Sequence, residues 1–454
     1  MQQAAEASTA VPARTRRPVP WQAILAMLAL VVLALVAVLP QVLRHGPFSA
    51  LDEGTHIDYA WRASTLDIPA AGDLIAPEVR ELWSCYGNEL ASLPACGESE
   101  PTDRFPLASA QYNFGHPPVY YVVTGVTAKA VAAVTGWDFV TAARATGALW
   151  LAAGMCVMLL TLRSFGVERW LALAVAAASG MWWANLQATA IVTNDAPLLL
   201  TTALSLLALS RFLRGGGWGS MALLTGAALL AAGMKVMNAL PALAIAGALV
   251  VLSLLPERWR PRVARWRMLT AAGASVAVVG AVFLVWTRIQ RARGDADWQN
   301  PVEGINSDPI EGSPLGEWLS TVTRGLSSLG HSYVTRGAAQ PELVGFVADV
   351  ASVVGLAAVA MGIAIARRGS ALQVLAIAAL IACAAWPTIV QLQSYLSSGG
   401  THYFDQPSYR YGATSGPMAF AVLALVAERL RWRVVTIVGC VVLVALTLTA
   451  VLVG

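Results

Sequence analysis

The sequence predicts an all-α fold: a polytopic transmembrane helix bundle of about 11 spans, with further helices lying along its outer face. Three observations predict it. Only 12% of the 454 residues are charged and 57% are hydrophobic, whereas a soluble domain carries roughly 25% charged residues. Apolar runs near the length of a bilayer crossing recur along the chain, the first of them from Trp21 to Leu43. Basic residues cluster in alternate connections, as they do where Lys- and Arg-rich loops face the cytoplasm. The same clusters argue against nucleic-acid binding, because they are short and flank apolar helices.

Residues 1–20, with Arg14, Arg16 and Arg17, read as a basic cytoplasmic tail. The run 21–43 exceeds a signal-peptide core and no small-x-small cleavage site follows it, so it reads as a retained first span. The next spans are predicted at 142–162, 170–190, 196–213, 219–234 and 237–255. The last are expected at 268–287, 343–366, 371–394, 412–428 and 433–453. Segment 117–136 is equally apolar but carries Lys129 near its middle. A lysine there would cost roughly 2.5–3.5 kcal/mol at the centre of a membrane helix. It also opens on Pro117-Pro118, a good helix start. It therefore reads as a helix lying in or along the outer interface.

The loop arginines fix the expected orientation. Arg163 with Arg169, Arg211 with Arg214, the group Arg258 to Arg267, Arg367 with Arg368, and Arg429 with Arg431 and Arg433 are each separated from the next by two spans. All five then share the cytoplasmic side with the N-terminal tail. Residues 21–454 form one membrane domain. Its large outward segments are 44–141, with interfacial helices, and 288–342. The cluster Arg288, Arg291 and Arg293 falls outside, against the rule. Long loops translocate largely regardless of charge; the alternative is a role toward anionic lipid or phosphate. Outward Cys85 and Cys96 are expected to pair in an oxidising compartment, the alternative being two free thiols.

Under this topology the chemically capable residues gather at the outer ends of helices: Asp52, Glu53 and His56; His116; Asn194 and Asp195; Lys235; and Tyr409, Arg410 and Tyr411. A sugar hydroxyl is a weak nucleophile and needs a base within reach, and a carboxylate partly removed from water becomes a better one. Against this, Asp52 is a good helix cap. His56 shares a helical face with Glu53, and is either its partner or an interfacial histidine. His116 is the one member of Asn113 to Tyr121 with possible chemistry; Pro117, Pro118, Tyr120 and Tyr121 suit a helix entry and an aromatic belt. Asn194 and Asp195 have capping as their plain explanation. Lys235 either snorkels or balances an anionic headgroup, and Arg410 offers a donor fork suited to phosphate. Trp61, Trp83, Tyr86, Trp298, Trp318 and Tyr333 read mainly as packing. Ionisable groups are scarce in helix interiors, Asp349 being the main exception. A transporter places such groups near the midplane, so Asp349, Gln391 and Gln393 give only weak support to a lipid-linked substrate transporter or flippase. A non-catalytic envelope scaffold is the third reading.

The Asp52-Glu53 pair after the first span, His116-Pro117-Pro118-x-Tyr120-Tyr121 before an outer helix, Asn194-Asp195 ahead of the fourth span, Lys235 in a tight outer turn, and Arg410-Tyr411 with the later Pro417 occur together in order. This combination resembles the GT-C superfamily of polytopic glycosyltransferases, which includes protein O-mannosyltransferases, the lipid A aminoarabinose transferase and bacterial multi-pass relatives. The resemblance implies a GT-C-like fold in the plasma membrane with an extracytoplasmic active site. It further implies an inverting transfer of sugar from a polyprenyl-phosphate-linked donor to a cell-envelope glycan or glycolipid acceptor, without a cofactor. Asp52 matches the acidic general base and Glu53 its companion. Lys235 and Arg410, flanked by Tyr409 and Tyr411, match positions that hold the donor phosphate. His56, His116, Asn194 and Asp195 fall in supporting positions. Asp195 matches an acidic position that binds a metal in oligosaccharyltransferases, but Asn194 and Ala196 leave that pattern incomplete, so no metal is expected. The usual Gly before Arg-Tyr is Tyr409 here.

Overall fold

In lipid a backbone must satisfy its own hydrogen bonds, which leaves helices as the form open to these apolar runs. The computed structural model describes residues 21–49, 52–89, 91–302, 307–327, 342–404 and 409–453. The predicted tail, 1–20, and Tyr333 lie outside these residues. Helix α1 spans Trp21–Leu43. Segment 44–141 contains α2 (Glu53–Ala63), α3 (Pro77–Tyr86) and α4 (Val119–Thr135). The bundle continues with α5 (Phe139–Ala145), α6 (Gly147–Ser164), α7 (Arg169–Met181), α8 (Trp183–Ala190), α9 (Leu198–Gly215) and α10 (Trp218–Met234). Then follow α11 (Leu240–Leu254), α12 (Arg265–Arg293), α13 (Pro314–Ser327), α14 (Glu342–Ile365), α15 (Ala371–Ser397), α16 (Gly416–Leu430) and α17 (Arg433–Val453).

Among the described residues, eight helical stretches are long and apolar enough to cross a membrane. The shorter apolar helices are α4, α7, α10 and residues 349–365 of α14. The eight together with α7, α10 and α14 account for the expected eleven. The five basic loops meet one another. Ser164 Oγ lies 2.6 Å from Ser210 Oγ. Gly216 faces Val263 and Arg267, and Gly369 abuts the Arg260 carbonyl. Glu428 accepts from the Glu168 N–H and from Arg433. Arg169 reaches Gln22 at the start of α1.

Several boundaries move for identifiable reasons. The expected span 170–190 is broken at Trp182, whose backbone is extended (φ −60°, ψ 127°). Its indole is buried beneath Gly416, where any side chain would collide with the ring, and Asn185 Nδ2 takes up the freed Ser179 carbonyl at 2.7 Å. The expected start at 142 moves back to Phe139, because Asp138 caps α5 by accepting from the Val140 and Thr141 N–H groups. Pro241 and Pro417 sit in the first turns of α11 and α16, where a missing N–H is harmless. The residues just before each form 3-10 turns, Val236–Ala239 and Tyr409–Ser415. The span expected at 268–287 runs for 29 residues, roughly 44 Å at 1.5 Å per residue against a hydrocarbon core near 30 Å. Its end holds segment 44–141: Gln290 and Arg293 donate to the Pro69 and Ile68 carbonyls, and the Asp295 N–H to Ala71.

A large alanine- and leucine-rich core joins α1, α6, α7, α9, α11, α15 and α16. A second core, around Phe48, Ile57, Tyr59, Trp83, Phe105 and Tyr121, belongs mainly to segment 44–141. Helix α4 lies so close on α2 that a Cβ at Gly125 would strike the Ala60 carbonyl. Cys85 and Cys96 form a disulfide in this segment, and Cys156, Cys383 and Cys440 are free thiols. Strand β1 (Ser307–Pro309) pairs antiparallel with β2 (His402–Phe404), tying the segment after α12 to the one after α15. Gln391, a candidate midplane group, is used in that junction, bonding Thr321 and both backbone groups of Phe404. Three of the aromatic residues expected to pack do so: Trp83 stacks on Phe48, Trp61 meets Phe139 edge-on, and Trp298 meets Phe114.

Candidate functional site

Helix α2 and the 3-10 turn Tyr112–Gly115 form the floor of the site. Gln111 Nε2 donates to the Thr55 carbonyl at 2.9 Å and to Asp58 Oδ2 at 2.6 Å. Asn113 Nδ2 donates to Thr55 Oγ1 at 2.6 Å, and that hydroxyl donates to the Asp52 carbonyl. Asp58 also accepts from the Ala76 N–H and Arg62. Burial pushes the Asp58 carboxyl up, partly offset by Arg62. This polar weld fixes Tyr112 against the start of α2.

Asp52 stands before α2 in the left-handed region, at φ 65°. Its carboxylate does not cap the helix, which removes the capping explanation. Instead Oδ1 accepts from Tyr112 Oη at 2.8 Å and Oδ2 from Arg410 Nη2 at 2.9 Å. Arg410 is 358 residues away in sequence. Beside it, the Tyr411 ring lies 5.4 Å from the Arg410 guanidinium and 5.3 Å from Lys235 Nζ, within cation–π reach. Lys235 is 4% exposed, so it does not snorkel. Its ammonium donates to Asp195 Oδ1 at 2.6 Å. Asp195 is therefore a buried ion-pair partner rather than a helix cap. One connected row results: Asp52, Arg410, Tyr411, Lys235, Asp195. The side chain of Tyr409 lies outside the described ones.

A second row runs behind the first. His56 Nδ1 lies 2.8 Å from Tyr121 Oη, which also accepts from Asn194 Nδ2 at 3.1 Å. Asn238 Nδ2 donates to the Asn194 carbonyl, and the buried Oδ1 atoms of Asn194 and Asn238 have no hydrogen-bond partner among the described residues. The His56 and His116 rings are stacked 6.3 Å apart. Tyr120 and Tyr121, expected in an aromatic belt, are instead fully buried. Tyr121 stacks on Tyr59 with centroids 3.7 Å apart.

Glu53 parts company with Asp52. Its side chain is fully buried and accepts from Arg144 Nε and Nη2, each at 2.8 Å, from the Ser49 N–H at 2.8 Å and from the Val192 N–H at 3.1 Å. Arg144 continues to the Gly46 and Pro47 carbonyls. Sequence reasoning missed Arg144, Tyr112, Gln111 and Asn238. Arg144 was detectable as a lone cation at the end of a span, where a charge requires a partner. The other three carry no signal in spacing.

Electrostatics separate the groups further. Burial would raise the Asp52 carboxyl, but the Arg410 charge beside it, with hydrogen bonds from Arg410 and Tyr112, holds it below the usual carboxylate range. Burial and the nearby Asp52 push the Tyr112 hydroxyl well up, so it remains a donor. Burial drives His56 well below its usual value, partly opposed by the Asp52 charge, with the Lys235 and Arg410 charges adding to the fall. His116 is pushed down to about 3 by burial and then by Lys235 and Arg410. Both imidazoles are neutral. Two carboxylates and two cations thus balance in an enclosed site. A groove of about 460 Å³ runs between α4, α10 and α12, with Pro117, Pro118, Gly233 and Trp286 among its lining residues; Pro117 follows His116, and Gly233 is two residues from Lys235.

Fold and site together define a polytopic all-α membrane protein with a paired-charge site at one end of its bundle. The chain is similar to the crystal structure of ArnT from Cupriavidus metallidurans bound to undecaprenyl phosphate, at 17% identity and a TM-score of 0.46, over 89% of this chain and 60% of that one. The chain thus spans about 60% of the length of that protein. No protein-family model matches the sequence, and no curated protein does.

Proposed function

We propose that the protein is a membrane glycosyltransferase of the GT-C type, moving a sugar from a polyprenyl-phosphate donor to a hydroxyl of a cell-envelope acceptor. One observation carries this reading: Asp52 and Arg410, from opposite ends of the chain, meet at 2.9 Å and are joined through Tyr411 to Lys235. An acid able to take a proton thus stands beside two cations able to hold a phosphate. In the reaction the acceptor oxygen attacks the anomeric carbon opposite the phosphate and its proton passes to Asp52. The bond from that carbon to the phosphate oxygen breaks, with inversion. The polyprenyl phosphate leaves with its negative charge held by Arg410 and Lys235. The groove beside Pro117 and Gly233 offers apolar walls to the isoprenoid tail.

Asp52, rather than Glu53, is the base in this reading, because all the hydrogen bonds of Glu53 are committed to structure. His56, His116 and Asn194 line the site as neutral groups, and Asp195 sets the position of Lys235. The active site faces outward if the arginine-rich loops are cytoplasmic. Purified protein in vesicles, supplied with labelled polyprenyl-phosphate sugars and envelope acceptors, tests the reading. Asp52→Asn should lower transfer by about 10²–10⁴-fold, the usual contribution of a general base, with the fold intact. Normal transfer by that variant, or passage of the labelled lipid across the vesicle without transfer, would overturn it.

A further inference from the structure

We propose that Tyr112 is the positioning residue for Asp52, holding that carboxylate in place while the donor phosphate draws Arg410 away from it. The inference rests on the glycosyltransferase reading and concerns the same site.

The two hydrogen bonds to Asp52 differ in kind. Tyr112 belongs to a turn welded onto α2 through Gln111, Asn113, Thr55 and Asp58. It moves with Asp52. Arg410 reaches in from the 3-10 turn Tyr409–Ser415 ahead of α16. Its partner across the Tyr411 ring, Lys235, is likewise neutralised by a carboxylate. A phosphate approaching the two cations therefore competes with Asp52 and Asp195 for them. Arg410 is the more open of the two contests: the Arg410 and Asp52 side chains are 13% and 25% exposed, against 5% and 3% for Lys235 and Asp195. A guanidinium turns readily from carboxylate to phosphate, since both accept its donor fork.

The exchange has a chemical consequence. At rest each oxygen of Asp52 accepts a hydrogen bond, and the carboxylate is a poor base. When Arg410 turns to phosphate, Oδ2 is freed toward the acceptor hydroxyl, and Tyr112 keeps Oδ1 aimed. Asp52 needs that tether, because its left-handed backbone turns the carboxylate away from the N–H groups of α2. Among the described residues, the charged or titratable groups facing it are Arg410, Tyr112 and His56, with His116 and Tyr121 behind them. The base is thereby uncovered only when a donor is bound, which keeps the site from activating water in its absence.

Infrared difference spectra of wild type against Asp52→Asn isolate the Asp52 carboxyl and its titration midpoint, with no sugar needed. Without lipid, Tyr112→Phe and Arg410→Gln should each move that midpoint to higher pH, since each removes a bond that favours the charged form. Adding a short-chain polyprenyl monophosphate should raise the midpoint in wild type and in Tyr112→Phe, and leave it unmoved in Arg410→Gln. Tyr112→Phe should slow transfer without weakening lipid binding. A midpoint unchanged in folded Tyr112→Phe overturns the tether, and an equal lipid-induced shift in Arg410→Gln and wild type overturns the exchange. Absence of saturable polyprenyl monophosphate binding defeats the exchange and the donor reading together, while the lipid-free Tyr112→Phe titration still decides the tether on its own.

Discussion

Replacing Arg144 by methionine removes the cation from a carboxylate that has no route to water. The Glu53 side chain is fully buried and that of Arg144 is 5% exposed. Removing one member of such a pair typically costs about 3–5 kcal/mol, because the remaining charge stays buried without compensation. Total stabilities lie near 5–15 kcal/mol, so this single change should consume a large part of the margin. The bonds from Arg144 to the Gly46 and Pro47 carbonyls go with it, loosening the chain just before Asp52. Adding Glu53→Gln to Arg144→Met should restore much of the loss, because no charge is then left buried. The amide oxygen can still accept from the Ser49 or Val192 N–H. Thermal unfolding in detergent can be followed with a thiol-reactive dye, since Cys383 and Cys440 are free and buried. A wild-type midpoint for Arg144→Met would refute the argument, as would a double variant whose loss equals the sum of the two single losses.

Two other outcomes follow from the same geometry. Leu229→Trp fills the groove between α4, α10 and α12 from an exposed position, so it should weaken polyprenyl monophosphate binding with the fold intact; unchanged affinity in vesicles would remove the groove from the donor site. Burial holds His56 and His116 neutral, with folded values below the 6.5 of the free group. The unfolded chain therefore binds more protons below that pH, and stability is complete above 6.5 and falls toward 3, where His116 takes up its proton. Unfolding midpoints should drop on acidification and drop less in His116→Gln; identical slopes for the two proteins would contradict a buried neutral His116.

The membrane bundle was legible because one physical rule governs it. A run without charges has to be a helix in lipid, and basic residues mark the loops that share a side. The contacts joining Ser164 to Ser210, Gly369 to Arg260 and Glu428 to Glu168 bring those loops together as expected. Where a span failed, tertiary packing overrode hydropathy: nothing in the apolar run 170–190 announces that Trp182 will insert beneath Gly416. The partners within the site were harder to read. Asp52, Arg410, Lys235 and Asp195 could be placed at one end of the bundle, but their pairing depends on which helices adjoin, and a single sequence does not encode that legibly. Tyr112 and Gln111 escaped notice because uncharged polar residues in an outer loop have no evident cost.

The divergence of Asp52 and Glu53 shows why adjacency in sequence is a poor guide to shared chemistry. Side chains at the start of a helix leave in different directions, and here the left-handed backbone of Asp52 adds to the difference. Glu53 turns into the protein, toward Arg144 and the backbone of two other segments. Asp52 turns to a site bounded by Tyr112 and Arg410. The first carboxylate is fixed by four hydrogen bonds, an arrangement that leaves nothing for a substrate. The second has one partner attached to its own helix and one from a distant turn, so it can change partners without unfolding its surroundings. Burial therefore decides the division of labour: the more enclosed acid of the pair anchors the corner, and the more accessible one remains able to exchange a proton.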